Sequence, residues 1–262
     1  MKKNSDVRFA CMSLMWGWCN LPNERVEPWL GEVREAGYDG VACFDGELLR
    51  IAAEADFAEL LRKHGLALAS VDYFINDDFE RLGKVCGEMQ SFGCRHLVTL
   101  GGVAKKGADM GQIADLLNRI GEVALGYGVE ACFHNHTGDT GETMEETEQL
   151  LGLTDPAKFF GFVDVGHATK DFEGHPRGER AALFLDRNWD RIRFIEFKDW
   201  SAESDLSTEV GAGETDYGRV FEILKRRGYR GWITVEQNGP TKGKTAAESA
   251  RSSLEFIRKG FL

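Results

Sequence analysis

Short apolar, β-branched runs alternate along the chain with longer stretches of helical period. Eight runs read as strands: 7–12 (VRFACM), 39–44 (DGVACF), 66–72 (LALASVD), 96–101 (HLVTLG), 130–135 (EACFHN), 159–165 (FFGFVDV), 192–198 (IRFIEFK) and 232–237 (WITVEQ). They are nearly continuous in apolar residues, as strands buried on both faces are. Helices are predicted between them at 24–36, 47–64, 77–92, 109–127, 143–152, 178–187, 216–227 and 244–259. Gly37, Gly65, Gly93, Gly128 and Gly228 sit where these helices stop and the next strand begins, as C-terminal capping glycines do. Eight strand–helix pairs in 262 residues match an α/β fold of the (β/α)8 TIM barrel type in number and length. A doubly wound sheet is the alternative, but no GxGxxG follows the first strand. No linker or low-complexity stretch divides the chain, which predicts one domain over 1–262.

In such a barrel the site forms at the C-terminal strand ends, and there the polar residues are concentrated in the second half of the chain. Strand five ends in His134, Asn135 and His136, and strand six in Asp164 with His167 close behind. Strand seven ends in Glu196, Lys198 and Asp199, and strand eight in Glu236 and Asn238. The first half offers Trp16, Trp18, Asp45, Glu47 and Asp72. A carboxylate at a strand end is commonly a helix N-cap or a solvated loop charge, the plain reading for Asp45, Asp72 and Asp199. Asp164 and Glu236 lie among apolar neighbours and do not look like caps. Buried carboxylates are costly unless paired, hydrogen-bonded or ligated, so their convergence on one barrel mouth points to a metal.

A net charge of −11 argues against nucleic-acid binding, which needs a basic surface. No run approaches the length of a membrane span. Arg8 interrupts the N-terminal apolar stretch, so MKK opens a first strand and not a signal peptide. Six cysteines without CxxC spacing suit reduced, buried thiols in a cytoplasmic protein.

The motifs HNH at 134–136, DVGH at 164–167, EFKD at 196–199 and GAGETDYGRVFEILKRRGYRGWITVEQ at 211–237 resemble the xylose-isomerase-like TIM-barrel superfamily. That group holds sugar isomerases and epimerases, inosose dehydratases and an endonuclease branch. The last is disfavoured here by the lack of further histidines and of a positive face. The resemblance implies one divalent ion held by Glu146, Asp164, Glu196 and Glu236. Glu145 and Glu142 stand beside Glu146 as alternatives, and an acidic first helical turn explains all three equally well. The family's strand-seven block reads His-x-Lys-Asp; here Glu196 replaces the histidine. An all-carboxylate set favours Mn2+ or Mg2+ over Zn2+ or Co2+. If Glu196 does not ligate, the metal is weak or absent, or His134 or His136 substitutes.

The implied activity is a sugar or polyol isomerase or epimerase that abstracts a proton alpha to a carbonyl through a metal-stabilised enediolate. Glu146 and Glu236 would be the acid–base pair, and His134, His136, His167, Lys198 and Trp16 would bind substrate. A lyase of the inosose dehydratase type, or one acting on a keto sugar, is the first alternative. A non-catalytic sugar-binding subunit with a degraded metal site is the second. The implied partner is a small sugar or polyol, with no nucleic acid, no membrane, and homo-oligomers common in the group. The absence of a Gly-rich phosphate loop leans toward an unphosphorylated ligand.

Overall fold

A computed structural model describes residues 6–17, 21–54 and 56–261. Eight parallel strands close into a barrel: β1 (Val7–Met12), β2 (Gly40–Phe44), β3 (Ala67–Phe74), β4 (His96–Leu100), β5 (Glu130–Phe133), β6 (Phe160–Asp164), β7 (Ile192–Phe197) and β10 (Gly231–Val235), the last returning to β1. Each predicted strand is present, as is the predicted barrel. A short antiparallel hairpin, β8 (Asp199–Ser201) and β9 (Asp205–Thr208), rises above the end of β7. The helices are α1 (Asn23–Ala36), α2 (Asp45–Glu54), α3 (Phe57–His64), α4 (Phe79–Ser91), α5 (Met110–Leu125), α6 (Met144–Leu153), α7 (Val165–Asp171), α8 (Arg180–Arg187), α9 (Tyr217–Arg227) and α10 (Ala246–Phe261).

Three elements depart from the sequence reading. The helix expected at 47–64 is two, because Asp56 caps a new one by accepting from the Glu59 N–H at 2.9 Å. Helix α7 and the β8–β9 hairpin are additional. Seven residues beginning Val-Gly-His are too short to show a helical period, and the hairpin is too polar to read as strand. Gly37, Gly65, Gly93, Gly128 and Gly228 all take the left-handed conformation after their helices.

The barrel interior is filled by Ala10, Ala69, Val98, Cys132, Phe160, Phe162, Phe194 and Trp232. The opposite strand faces, Ile195 and Phe197 among them, join the core beneath the helices. This floor matters because it leaves only the C-terminal rim open. Five of the six cysteines fall among the described residues, and all five are buried free thiols; Cys19 lies outside those residues. Among the described residues no helix is long and apolar enough to cross a membrane.

His96, at the start of β4, stacks on Phe194 with ring centroids 4.6 Å apart. Burial, helped by Arg95, pulls its imidazole down to about 4, and Glu130 at 3.9 Å does not offset this. Between the folded value and the unfolded value near 6.5, the unfolded chain binds the extra proton, so stability falls as pH drops through that window. The expected loss from pH 7 to pH 4 is roughly 2–3 kcal/mol from this group. Urea unfolding of wild type and His96→Gln across this range checks it, because other titrating groups cancel in the comparison. Parallel stability curves would refute it.

Candidate metal and substrate site

Strand register assembles the site. Asp164 pairs with Glu196 across β6–β7, and Glu196 with Thr234 across β7–β10. Residues two further along point the same way, which brings Lys198 to Glu236; their side chains are in direct contact. In the segment FIEFKDW the alternation is therefore that of a strand whose charged side faces the barrel mouth. Glu196 and Lys198 are buried.

Asp164 has a divided role. Its Oδ1 accepts the His167 N–H at 2.9 Å and caps α7, which corrects the expectation that Asp164 is not a cap. Its Oδ2 is buried without a hydrogen-bond partner among the described residues, and so is Glu196 Oε1. Asn135, which the sequence reading gave no role, holds the Asp164 backbone from both sides. Its Oδ1 accepts the Asp164 N–H at 2.9 Å and its Nδ2 donates to the Asp164 carbonyl at 3.1 Å.

Three groups surround the free Asp164 oxygen: His134 Nε2 at 3.7 Å, His167 Nε2 at 3.8 Å and Lys198 Nζ at 4.0 Å. His134 Nδ1 lies 2.8 Å from the Asn135 carbonyl, so Nδ1 carries the proton and Nε2 presents a lone pair. His167 has the opposite tautomer. Its Nδ1 accepts the Thr137 N–H at 3.2 Å, which leaves a proton on Nε2. Burial first, and the neighbouring Lys198 and histidines next, hold both imidazoles well below their usual range and neutral.

Burial pushes Asp164 up to about 6, with Lys198 opposing and Glu236 adding to the rise. Glu196 and Asp72 are driven well above the carboxylate range by burial and by the carboxylates facing them. Burial pulls the Lys198 ammonium down, but Glu236, Asp164 and Glu196 outweigh it and keep the group charged. Four buried carboxylates thus share one ammonium. A lone pair on His134 Nε2 facing two carboxylate oxygens is unfavourable unless a cation lies between them or Asp164 and Glu196 share a proton. The donor atoms of His134, Asp164 and Glu196 all lie within 4.8 Å of one another. Bonds of about 2.0–2.2 Å to a divalent ion place donors roughly 3–4 Å apart, a spacing that His134 Nε2 and Asp164 Oδ2 meet at 3.7 Å.

Two expected participants are elsewhere. Glu146 is taken up in a capping box at the start of α6, where its carboxylate accepts the Thr143 N–H at 3.3 Å and its own N–H donates to Thr143 Oγ1 at 3.2 Å. It is not brought to the cluster, and the nearby Glu142 pairs with Lys106 at 2.7 Å. Trp16 donates its indole N–H to Glu32 at 2.6 Å and is absent from the cavity lining; Trp18 lies outside the described residues. His136, His167, Lys198 and Glu236 line a cavity of about 340 Å3, together with His134 and Asp72. Asp72 and Asp199, expected as caps or solvated charges, are both buried. Asp199 gathers the 211–215 loop by accepting N–H groups of Gly211, Gly213 and Thr215 at 2.9, 3.0 and 3.2 Å. Gly166 packs so tightly on Lys198 that a Cβ there would lie 2.8 Å from its side chain.

The profile of the family described as xylose isomerase-like TIM barrel matches residues 30–260. The chain belongs to this family. An inosose dehydratase of Mesomycoplasma hyopneumoniae is 26% identical over 98% of this chain and 97% of its own length. A D-allulose 3-epimerase from Methylomonas sp. superposes with a TM-score of 0.76 at 17% identity, covering 97% of this chain and 98% of its own. The IOLI protein, solved with a bound zinc atom, superposes at 0.74 with 16% identity, covering 97% and 98%. At these identities the two structures share the fold.

Proposed function

We propose that this protein abstracts a proton alpha to the carbonyl of a sugar or polyol held on a divalent ion, and that a neighbouring hydroxyl is then lost, as in a lyase. The observation that carries the metal is the pair of unpartnered oxygens, Asp164 Oδ2 and Glu196 Oε1, facing the lone pair of His134. Two carboxylates and one imidazole suit Mn2+ best and admit Zn2+; Mg2+, which keeps to oxygen donors, is disfavoured. His134 would complete the set in place of Glu146. Such an ion would polarise the substrate carbonyl and stabilise negative charge on its oxygen.

The rest is the work of side chains. Glu236, in contact with Lys198, is the base that removes the proton. The proton taken by Glu236 passes to the departing hydroxyl, whose oxygen accepts a hydrogen bond from His167 Nε2–H. A C–H and a C–O bond break, a C=C bond forms, and water leaves. Glu146, the second acid–base group expected of an epimerase, is engaged in α6 and does not line the cavity. That favours elimination over the epimerase reading, and the inosose dehydratase relative, alike over nearly the whole chain, favours it too. Isomerisation is the second reading, because it also needs one base. Five unpaired buried thiols accord with a reducing cytoplasm.

The test uses Mn2+-loaded protein and a keto-inositol in D2O, followed by NMR and mass spectrometry. Loss of one water is the expected result, and Glu236→Gln should slow it by about 10²–10⁴-fold. Deuterium at the alpha carbon without water loss would replace the lyase with an isomerase. No exchange and no elimination by the loaded protein, with keto-inositols and ketoses alike, would overturn the proposal.

A further inference from the structure

The cavity is divided in a way that the chemistry above does not use. Its polar end is built from β5, β6, β7 and β10, where His134, His167, Lys198 and Glu236 converge. The β1–β4 side carries apolar side chains, Leu14 after β1, Phe44 ending β2, Phe74 ending β3 and Leu100 ending β4, with Asp72 on β3 and the Lys105–Asp139 pair beside them. Phe44 and Phe74 stack face to face, their centroids 5.9 Å apart and their planes within 6°. Phe74 remains 41% exposed, so part of its ring is open to an occupant of the cavity it lines.

Size and charge narrow the occupant. The cavity of about 340 Å3 equals roughly eleven waters at about 30 Å3 each. A hexose or cyclitol ring has about twelve heavy atoms, and covalent bonds pack them far more closely than waters pack. One ring at the polar end therefore leaves the β1–β4 side unfilled. A phosphate is a poor filler. Among the described lining residues each lysine already faces a carboxylate: Lys105 with Asp139 at 2.8 Å, Lys170 with Asp205 at 3.0 Å, and Lys198 with Glu236. Asp72 adds a further acidic group to the lining, so no unpaired cation awaits a dianion.

We infer that the substrate is a sugar or cyclitol ring carrying a flat, apolar, uncharged substituent, with the substituent seated on the Phe44–Phe74 pair. This rests on the reading of the polar end as a sugar site. Aromatic stacking of this kind contributes beyond simple area burial, and removing an exposed ring does not threaten the core. Isothermal titration of Mn2+-loaded protein with phenyl β-D-glucoside, glucose and glucose 6-phosphate tests it, in wild type and Phe74→Ala. The phenyl glucoside should bind at least about tenfold tighter than glucose in wild type, glucose 6-phosphate should bind most weakly, and Phe74→Ala should close most of the gap between the first two. Glucose binding as well as or better than its phenyl glucoside overturns this inference alone, as does preference for the phosphate. Failure of all three to bind the loaded protein overturns both it and the sugar-site reading.

Discussion

Glu196→Gln should abolish metal binding while leaving the metal-free protein at least as stable as wild type. The two effects share one cause. In the absence of a cation, Glu196 faces Asp164 and Glu236 across a buried space, and its own Oε1 has no partner among the described residues. An uncompensated buried charge is expensive, and replacing it by a neutral group of the same shape removes the repulsion. With a divalent ion the same oxygen becomes a ligand. Loss of supporting residues around a metal lowers affinity by about 10–100-fold, and loss of a donor should exceed that. Saturating Mn2+ should raise the wild-type melting temperature by roughly 5–10 °C, as about 2–3 kcal/mol of linkage implies for a chain of this size. Glu196→Gln should show no rise, and elemental analysis should find about one ion per wild-type chain and none in the variant. A variant that binds as wild type does would remove Glu196 from the ligand set. A wild type that neither contains nor responds to a divalent ion would remove the metal altogether.

The barrel was readable because parallel strands buried on both faces leave an unbroken apolar signature, and because glycines mark where helices stop. Strand ends carry the site in this architecture, so Asp164, His167, Glu196, Lys198 and Glu236 could be found as polar residues where apolar ones were expected. What could not be read was how each carboxylate is used. Glu146 and Asp164 each begin a helix. Glu146 uses its carboxylate in a capping box away from the cavity; Asp164 caps with one oxygen and aims the second into the site. Both are acidic residues at a helix N-terminus, Asp164 at the N-cap and Glu146 at the third position after its own N-cap, and sequence alone does not show which oxygen stays free. His134 shows the same limit. Its capacity to ligate follows from a tautomer set by the Asn135 carbonyl, a contact with no sequence pattern of its own. Trp16, expected to bind substrate, is absent from the cavity lining, whereas Phe44 and Phe74 are part of it. The indole is drawn away by Glu32 on α1, sixteen residues distant.

Lys198→Met should be among the most damaging single substitutions in the chain, and Glu236→Gln should partly rescue its stability. Lys198 touches Glu236 and lies 4.0 Å from Asp164, with Glu196 and Asp72 close enough to feel its charge. Removing one partner of a buried pair costs about 3–5 kcal/mol, because the remaining charge is left without compensation. Here the methionine stem can still pack against Gly166, so the loss is electrostatic and not a cavity. The double variant Lys198→Met/Glu236→Gln removes the orphaned carboxylate with the ammonium. Urea unfolding should then recover more than half of the single-variant loss, a coupling of about 1–3 kcal/mol. Strict additivity would mean that Lys198 serves packing alone. Catalysis should distinguish the same two roles. The double variant regains its fold yet lacks the base, so water elimination stays at the level of Glu236→Gln. On the mechanism proposed above, stability and activity separate at this pair: the ammonium neutralises the site in every state, whereas the carboxylate it holds is needed only when a C–H bond is to be broken.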